Sequence, residues 1–152
     1  MRRTSVVFVA VLISLLQSHH PAWTCSCIGP TGPDILSNNA AVFTGEVTAI
    51  EYLEPDTESS EPPIRVAFEV NEVWKGPVRT TVTLTTIYNK FSCDGYFFKD
   101  GQLYLVAAQT VTRDDKESDT AELEGVSLCG GTSVLSDADD NLKEFGKGQR
   151  PQ

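Results

Sequence analysis

The chain is poor in histidine. Its two histidines, His19 and His20, both lie within the first 24 residues. Residues 25–152 therefore contain no imidazole that could act as a general base or bind a metal. This excludes histidine-based catalysis and histidine-based metal sites from that part of the chain. We expect a protein that is not an enzyme and that needs no cofactor.

The chain also lacks a long apolar run. The longest, Val6–Leu16, has 11 residues, whereas a membrane-spanning helix needs roughly 20. Arg2 and Arg3 precede this run and a short polar segment follows it, which is the three-part pattern of a secretory signal peptide. We predict a signal peptide over residues 1–24 and a secreted, extracellular domain over residues 25–152, with no membrane span.

The cleavage site is predicted after Thr24, and a cut after Ala22 is the alternative. Small residues at these two positions suit a signal peptidase. Trp23 does not fit the small residues that bacterial lipidation requires directly before the cysteine. The sequence therefore favours an unlipidated amino terminus.

Basic residues are scarce. Of the 12 basic residues, two lie in the predicted signal peptide, whereas all 21 acidic residues follow it, so residues 25–152 carry a net charge of 10 minus 21, or -11. Such a surface repels phosphate backbones, so we expect no binding to nucleic acid. The 128 residues that remain suit one domain with its own core, which we expect to be monomeric.

Runs of β-branched, aromatic and alternating apolar residues predict strands. The first strand covers Ala40–Tyr52 and is expected to bend at Gly45. In the second strand, which begins at Ile64, apolar and polar residues alternate. The alternation shifts by one residue before Val73, and a bulge at Asn71 or Glu72 would restore it. Two further strands are predicted, over Val78–Ile87 and over Leu103–Ala108.

The remaining segments predict loops and one helix. Glu54–Pro63 and Arg113–Glu124 are acidic and read as loops. Ser136 or Asp137 is predicted to cap a short helix that ends before Gly146. About five strands and a terminal helix are typical of a small Greek-key barrel, so the fold class is mainly β.

Four cysteines follow the signal peptide: Cys25, Cys27, Cys93 and Cys129. An even number in an exported chain predicts two disulfides. A four-cysteine zinc site is the rival, which an oxidising compartment disfavours. A bond between the first two would close too tight a ring, which leaves two pairings open. Both tie the amino terminus to distant parts of the chain.

The amino-terminal edge is the best candidate for a functional surface. In an extended segment, residues two apart point the same way, so Cys25 and Cys27 would both face the barrel. Ser26 between them would point to solvent or to a partner. Because chain termini usually fray, a terminus fixed by disulfides suggests a role beyond stability.

Several short motifs occur in a set order along residues 25–152. They are Cys-Ser-Cys at 25–27, Val-Phe-Thr-Gly at 42–45, Val-Trp-Lys-Gly at 73–76, Cys-Asp-Gly-Tyr at 93–96, Leu-Tyr-Leu-Val-Ala at 103–107 and Leu-Cys-Gly at 128–130. In this order they resemble the inhibitory domain of the tissue inhibitors of metalloproteinases, within the wider netrin-like group. The resemblance spans essentially all of residues 25–152.

The resemblance implies a fold, a disulfide pattern and a mechanism. The fold would be a five-stranded barrel of the oligonucleotide-binding type, with disulfides Cys25–Cys93 and Cys27–Cys129. Members of this family bind the catalytic zinc of a protease through the α-amine and carbonyl oxygen of their first cysteine, and the second side chain enters the specificity pocket. These roles fall on Cys25 and Ser26.

Phe91 and Ser92 are then expected to lie beside this edge and to add contacts. The expected partner is a zinc metalloproteinase, and Cys25 would be a ligand to the partner's metal. The family's third barrel disulfide is missing, and Gly29 stands where proline is commoner.

Two other readings remain open. One is a netrin-like module that binds a different extracellular protein without inhibiting a protease, since a fold does not fix a function. The other is an enzyme built on a carboxylate pair. With 21 acidic residues, some pair always lies close, so proximity alone is no evidence for such an enzyme.

Overall fold

The computed structural model describes residues 27–54, 62–76, 79–87, 95–110 and 123–151. The predicted signal peptide lies outside these ranges. The strands are β1 (Ala41–Tyr52), β2 (Pro63–Lys75), β3 (Thr81–Ile87), β4 (Leu103–Thr110), β5 (Leu123–Glu124) and β6 (Ser133–Val134). The helices are α1 (Gly32–Asn38), a 3₁₀ turn (Leu135–Asp137) and α2 (Asp139–Phe145). Neither α-helix in these ranges has the length or apolar character to cross a membrane.

The strands pair in a ladder that closes on itself. β1 pairs antiparallel with β2 on one side and with β4 on the other. β2 pairs antiparallel with β3, which pairs in parallel with β5, and β5 pairs antiparallel with β4. β6 adds to β4 beside this ring. The prediction of a mainly β fold is confirmed.

A bulge in β2 keeps its apolar residues on the inner face. Thr44 of β1 lies opposite Glu72, whereas the next residue, Gly45, lies opposite Val70, so Asn71 is the extra residue. The bulge predicted at Asn71 or Glu72 is therefore confirmed. A Cβ at Gly45 would stand 2.8 Å from a backbone oxygen of β2, so the two strands approach each other closely there.

The main core fills the ring of strands and is rich in aromatic side chains. Phe43, Phe68, Phe98 and Tyr104 are buried and meet edge to face, with ring centroids 5.0 to 5.6 Å apart. Tyr96 is half-buried and packs against two of these rings. Aromatic rings therefore make up the centre of this core.

A second core lies between the outer face of the sheet and the helices. Its buried residues are Ile35, Val42, Leu105, Ala107 and Ala138. Residues of β4 contribute to both cores, because Tyr104 and Val106 belong to the main core and Leu105 belongs to the second. The helices thereby cover the outside of β1 and β4.

Helix α1 was not predicted, although its start follows a simple rule. Thr31 caps the helix by accepting a hydrogen bond from Asp34 N, and the Asp34 carboxylate accepts one from Thr31 N. This is a capping box. Pro33 lies in the first turn, where its missing N–H costs nothing.

Helix α2 was predicted correctly, but its cap was not. Ser136 and Asp137 lie in the 3₁₀ turn, and the N-cap is Ala138, which has no side-chain cap bond. The turn itself prepares the helix, because Ala138 N donates to Leu135 O at 3.2 Å. The helix ends at Phe145, directly before Gly146, as predicted.

The prediction of a loop over Arg113–Glu124 was wrong at its end, because Leu123–Glu124 forms β5. Leu123 is buried and lies opposite Leu84 of β3. A single leucine in a polar run gives no periodic signal, yet this two-residue strand closes the ring.

Candidate functional site

Only part of the predicted amino-terminal edge can be described. Cys27 belongs to the described residues, whereas Cys25, Ser26, Phe91, Ser92 and Cys93 lie outside them. The predicted Cys25–Cys93 disulfide lies outside them as well. The site is therefore built from Cys27 and its surroundings.

Cys27 forms a disulfide with Cys129, the pair that the resemblance implies. Their Cα atoms are 5.4 Å apart, and 102 residues separate them in the sequence. Cys27 is exposed and Cys129 is half-buried. The bond thus fixes an exposed segment near the amino terminus to the surface of the β domain.

A tight turn positions Cys129. Gly130 N donates to Ser127 O at 3.0 Å, and Cys129 N donates to Ser127 Oγ at 3.2 Å. The buried Asn39 Nδ2 donates to Gly130 O at 3.2 Å and to Ile35 O at 2.9 Å. The Asn39 amide therefore ties this turn to α1.

Gly131 lets the turn lie directly on α1. Its φ is 100°, and a Cβ there would stand 2.6 Å from Ile35 Cγ1. Glycine adopts such angles without a steric penalty, and a side chain would have no room. The close approach seals Ile35, which is fully buried.

Helix α1 is also held from two other sides. Gly32 N donates to Glu144 Oε2 of α2 at 2.8 Å. Lys75 Nζ of β2 donates to Leu36 O at 2.7 Å. The cation is favourable there because the carboxyl end of a helix carries partial negative charge. The chain that follows Cys27 is therefore anchored within a few residues of the disulfide.

The segment that follows Cys93 reaches the same corner. Gly95 forms an isolated parallel bridge with Ser127, two residues before Cys129. Its φ is 89°, and a Cβ there would collide with Ile87 O at the end of β3. The bridge therefore holds Gly95 beside the turn that carries Cys129.

Two exposed apolar residues flank the disulfide. Ile28 is 99 % exposed and Leu128 is 41 % exposed, and each is the chain neighbour of a bonded cysteine. Exposed apolar residues at one place on a charged surface are typical of a contact site. Sequence reasoning missed both, because a single leucine or isoleucine beside a cysteine has no distinguishing pattern.

Tyr96, next to Gly95, is the described group near this corner with the largest pKa change. Burial, then the nearby Tyr104 and Asp137, raise the pKa of Tyr96 to about 12. Its hydroxyl therefore stays protonated at neutral pH. In the described part of the chain, no group of three or more histidine, cysteine or acidic side chains is arranged to hold a metal ion.

The chain was compared with known protein families and with characterised proteins. No family model and no characterised protein matches it.

Proposed function

We propose that the protein is a secreted inhibitor of zinc metalloproteinases, which binds the protease zinc through the α-amine and carbonyl oxygen of Cys25. The observation that carries this proposal is the Cys27–Cys129 disulfide, which fixes the chain two residues from the proposed ligands. The ordered motifs described above supply the resemblance to the family that uses this mechanism.

The chemistry requires an open zinc site and a free amine. A catalytic zinc holds three protein ligands and keeps one position for water. A rigid amine and carbonyl displace that water when they approach together. Only the unprotonated amine has a lone pair, and an α-amine has a pKa of about 8. Binding therefore releases a proton.

The rigid surroundings of Cys27 support this mechanism. The disulfide, the turn at Ser127 and the contacts of α1 order the described part of the edge before any partner binds. The entropy that association loses is then small, which favours tight binding.

Ser26 is proposed to enter the specificity pocket of the protease. Ile28 lies two residues further on, so in an extended segment it points to the same side. Its full exposure leaves it available to bury apolar surface on a partner. Phe91 and Ser92 are proposed to flank Cys25 through a Cys25–Cys93 bond.

The strand pairing supports the barrel that the family implies. A ring in which β1 lies between β2 and β4, and β3 meets β5 in parallel, suits a five-stranded barrel of the oligonucleotide-binding type. This is the fold that we propose for residues 25–152.

The test compares two matched chains against a panel of zinc proteases. One chain carries an extra Ala before Cys25, and its control carries an extra Ala after Gln152. Mass spectrometry first establishes that Cys25 is residue one of the control. We expect the first chain to inhibit at least about a hundredfold more weakly, which corresponds to about 2.7 kcal/mol of binding free energy, while both chains give the same circular dichroism spectrum.

Equal inhibition by both chains would refute chelation by the amine. Inhibition by neither chain would favour the alternative, a netrin-like module that binds another extracellular protein. A second comparison avoids lengthening the chain. In a variant whose lysines are all replaced by arginine, acetylation modifies the α-amine alone, and the acetylated variant should inhibit more weakly than the same variant without acetylation.

A further inference from the structure

The segment after α2 folds back and pairs with the end of β2. The ladder between β2 and β3 ends where Glu69 lies opposite Thr81, so residues 71–75 of β2 have no partner in β3. Val73 N instead donates to Gln149 O at 2.9 Å, and Gln149 N donates to Val73 O at 2.7 Å, in an isolated antiparallel bridge. We call residues 71–75 the β2 edge and residues 146–151 the strap.

Hydrogen bonds to the backbone of the strap hold it in place. In addition to the two bonds at Val73, Gly148 N donates to Glu72 Oε1 at 2.8 Å, and Trp74 Nε1 donates to Gly146 O at 2.8 Å. All six residues of the strap lie in the described part of the chain, and none of them is buried. A segment without buried side chains opens more readily than the core, because its opening exposes little apolar surface to water.

The β2 edge accepts a segment that has glycine at one position. A Cβ at Gly148 would stand 2.6 Å from Glu72 Cγ and 3.0 Å from Val73 O. The backbone oxygen cannot move aside without disturbing β2, so a larger residue there would push the strap away from the edge. Gly148 therefore allows the two backbones to approach each other closely.

The strap differs in charge from the chain on which it lies. It carries Lys147 and Arg150 and no acidic residue, a net charge of +2, whereas residues 25–145 carry -11 minus 2, or -13. Both cations are exposed, and neither forms an ion pair with another described residue. The strap meets this acidic surface at Glu72. Complementary charge therefore favours a basic segment at the β2 edge.

We propose that the β2 edge is a docking site for an extended, basic segment of a partner protein, and that the strap covers this edge until the partner binds. The edge of a strand presents backbone donors and acceptors that can pair with an incoming extended chain. The strap shows which chemistry fits: a glycine beside Glu72 and basic residues near it. The inference does not rest on the proposed inhibition, since no residue of the amino-terminal edge takes part in it.

Hydrogen exchange of the Val73 amide in the native chain tests whether the strap opens. The reference is the amide of Val106, a fully buried residue of β4 that lies opposite Phe43 of β1. We expect the Val73 amide to exchange at least about a hundredfold faster, because the strap opens without unfolding the core. Equal exchange of the two amides would mean that the strap leaves only when the whole chain unfolds, and would overturn the proposal.

The variant Gly148→Val should remove the strap from the edge, and Gln149→Val places the same residue at the exposed neighbouring position as a control. Trp74 is the only tryptophan in residues 25–152. In Gly148→Val its indole loses Gly146 O, so its emission should move to longer wavelengths and the Val73 amide should exchange faster. The control should match the native chain. Native emission and exchange in Gly148→Val would contradict the proposal.

The probe for docking is an acetylated peptide with the sequence of residues 147–152. Added in excess to Gly148→Val, it should slow the exchange of the Val73 amide and restore the emission of Trp74. It should bind the native chain at least about tenfold more weakly, because the strap occupies the edge for most of the time. Two further peptides, one with valine in place of glycine and one with glutamate in place of lysine and arginine, should not bind.

The proposal fails if the peptide does not protect the Val73 amide, or if the valine or glutamate peptide protects it equally. It also fails if the native chain forms a dimer at high concentration in which the Val73 amide becomes more protected, because the edge would then bind a second copy of the chain. If Gly148→Val does not fold, the three peptides are titrated onto the native chain, where the same order of binding is expected.

Discussion

Thr132 takes the place of a neighbouring strand for Ala107 of β4. Its Oγ1 accepts a hydrogen bond from Ala107 N at 3.0 Å and donates one to Ala107 O at 3.3 Å. Both residues are buried. Because β5 and β6 pair with β4 on either side of this position, a single hydroxyl fills the gap between two short strands.

Replacing Thr132 by Val keeps the shape and removes the hydroxyl. The buried N–H and C=O of Ala107 then lose their partner, so we expect the free energy of unfolding to fall by about 2 to 3 kcal/mol. Urea denaturation followed by circular dichroism measures the change. The control Thr132→Ser keeps the hydroxyl and should lose less; a valine variant as stable as the native chain would contradict this role.

Removing the Cys27–Cys129 disulfide should destabilise the fold. The bond closes a loop of 102 residues, and the chain-entropy model gives about 4.7 kcal/mol for a loop of this length. We expect Cys27→Ala/Cys129→Ala to lower the urea midpoint accordingly. Leu128→Ala, which leaves the bond intact, is the control. An unchanged midpoint in the double variant would mean that the rest of the fold already holds this corner.

Alkaline pH should unfold the protein partly through Tyr96. Its pKa is raised from 10.0 in an unfolded chain to about 12 in the fold, so its contribution is complete below pH 10 and is lost as the pH rises towards 12. Burial raises the pKa of Tyr104 in the same direction. Over this pH range, we expect the melting temperature of Tyr96→Phe to fall less steeply with pH than that of the native chain.

The matching measurement is an absorbance titration at the tyrosinate band. Tyr96→Phe should remove one group that titrates late. If Tyr96→Phe loses stability in parallel with the native chain between pH 10 and 12, Tyr96 does not contribute in this way.

Inhibition, as proposed, should weaken in acid. The α-amine of Cys25 must lose its proton to bind zinc, and its pKa is about 8. Below that value protons compete with the metal, so the inhibition constant should rise about tenfold for each pH unit. Inhibition assays at pH 7 and pH 6 test this. A small zinc-binding inhibitor measured on the same protease serves as the control, because it reports how the protease itself changes with pH. If the inhibition constant corrected in this way does not vary between pH 7 and pH 6, the α-amine of Cys25 does not bind the zinc.

Regular patterns in the sequence predicted the large elements of the fold. The alternation from Ile64 and its slip before Val73 located both β2 and its bulge, because one inner face must stay apolar. The elements that escaped prediction are short. β5 and β6 have two residues each, and their positions follow from hydrogen bonds to strands distant in the sequence.

Helix α1 carried a local signal that was overlooked. Thr31 followed three residues later by Asp34 is the pattern of a capping box, and Pro33 suits a first turn. The seven-residue helix has too few apolar positions for a periodic signal, since only Ile35 is a buried hydrophobic residue in it.

The sequence predicted that Cys27 belongs to the candidate site, but it did not predict the residues that hold Cys27 and Cys129 in place. Cysteine count and spacing point to a crosslink at the amino terminus. The roles of Ser127, Gly95 and Asn39 depend on a turn that meets two other segments in three dimensions. No spacing along the sequence encodes such a meeting.

The contact between Gly32 and Glu144, 112 residues apart, bears on how the polypeptide is made. The first helix emerges from the ribosome long before the last one, and Cys27 emerges long before Cys129. Neither can find its native neighbour until residues 129–144 have left the ribosome. The Cys27 thiol must therefore wait, unpaired or wrongly paired, until Cys129 has been synthesised, so this corner of the fold closes late.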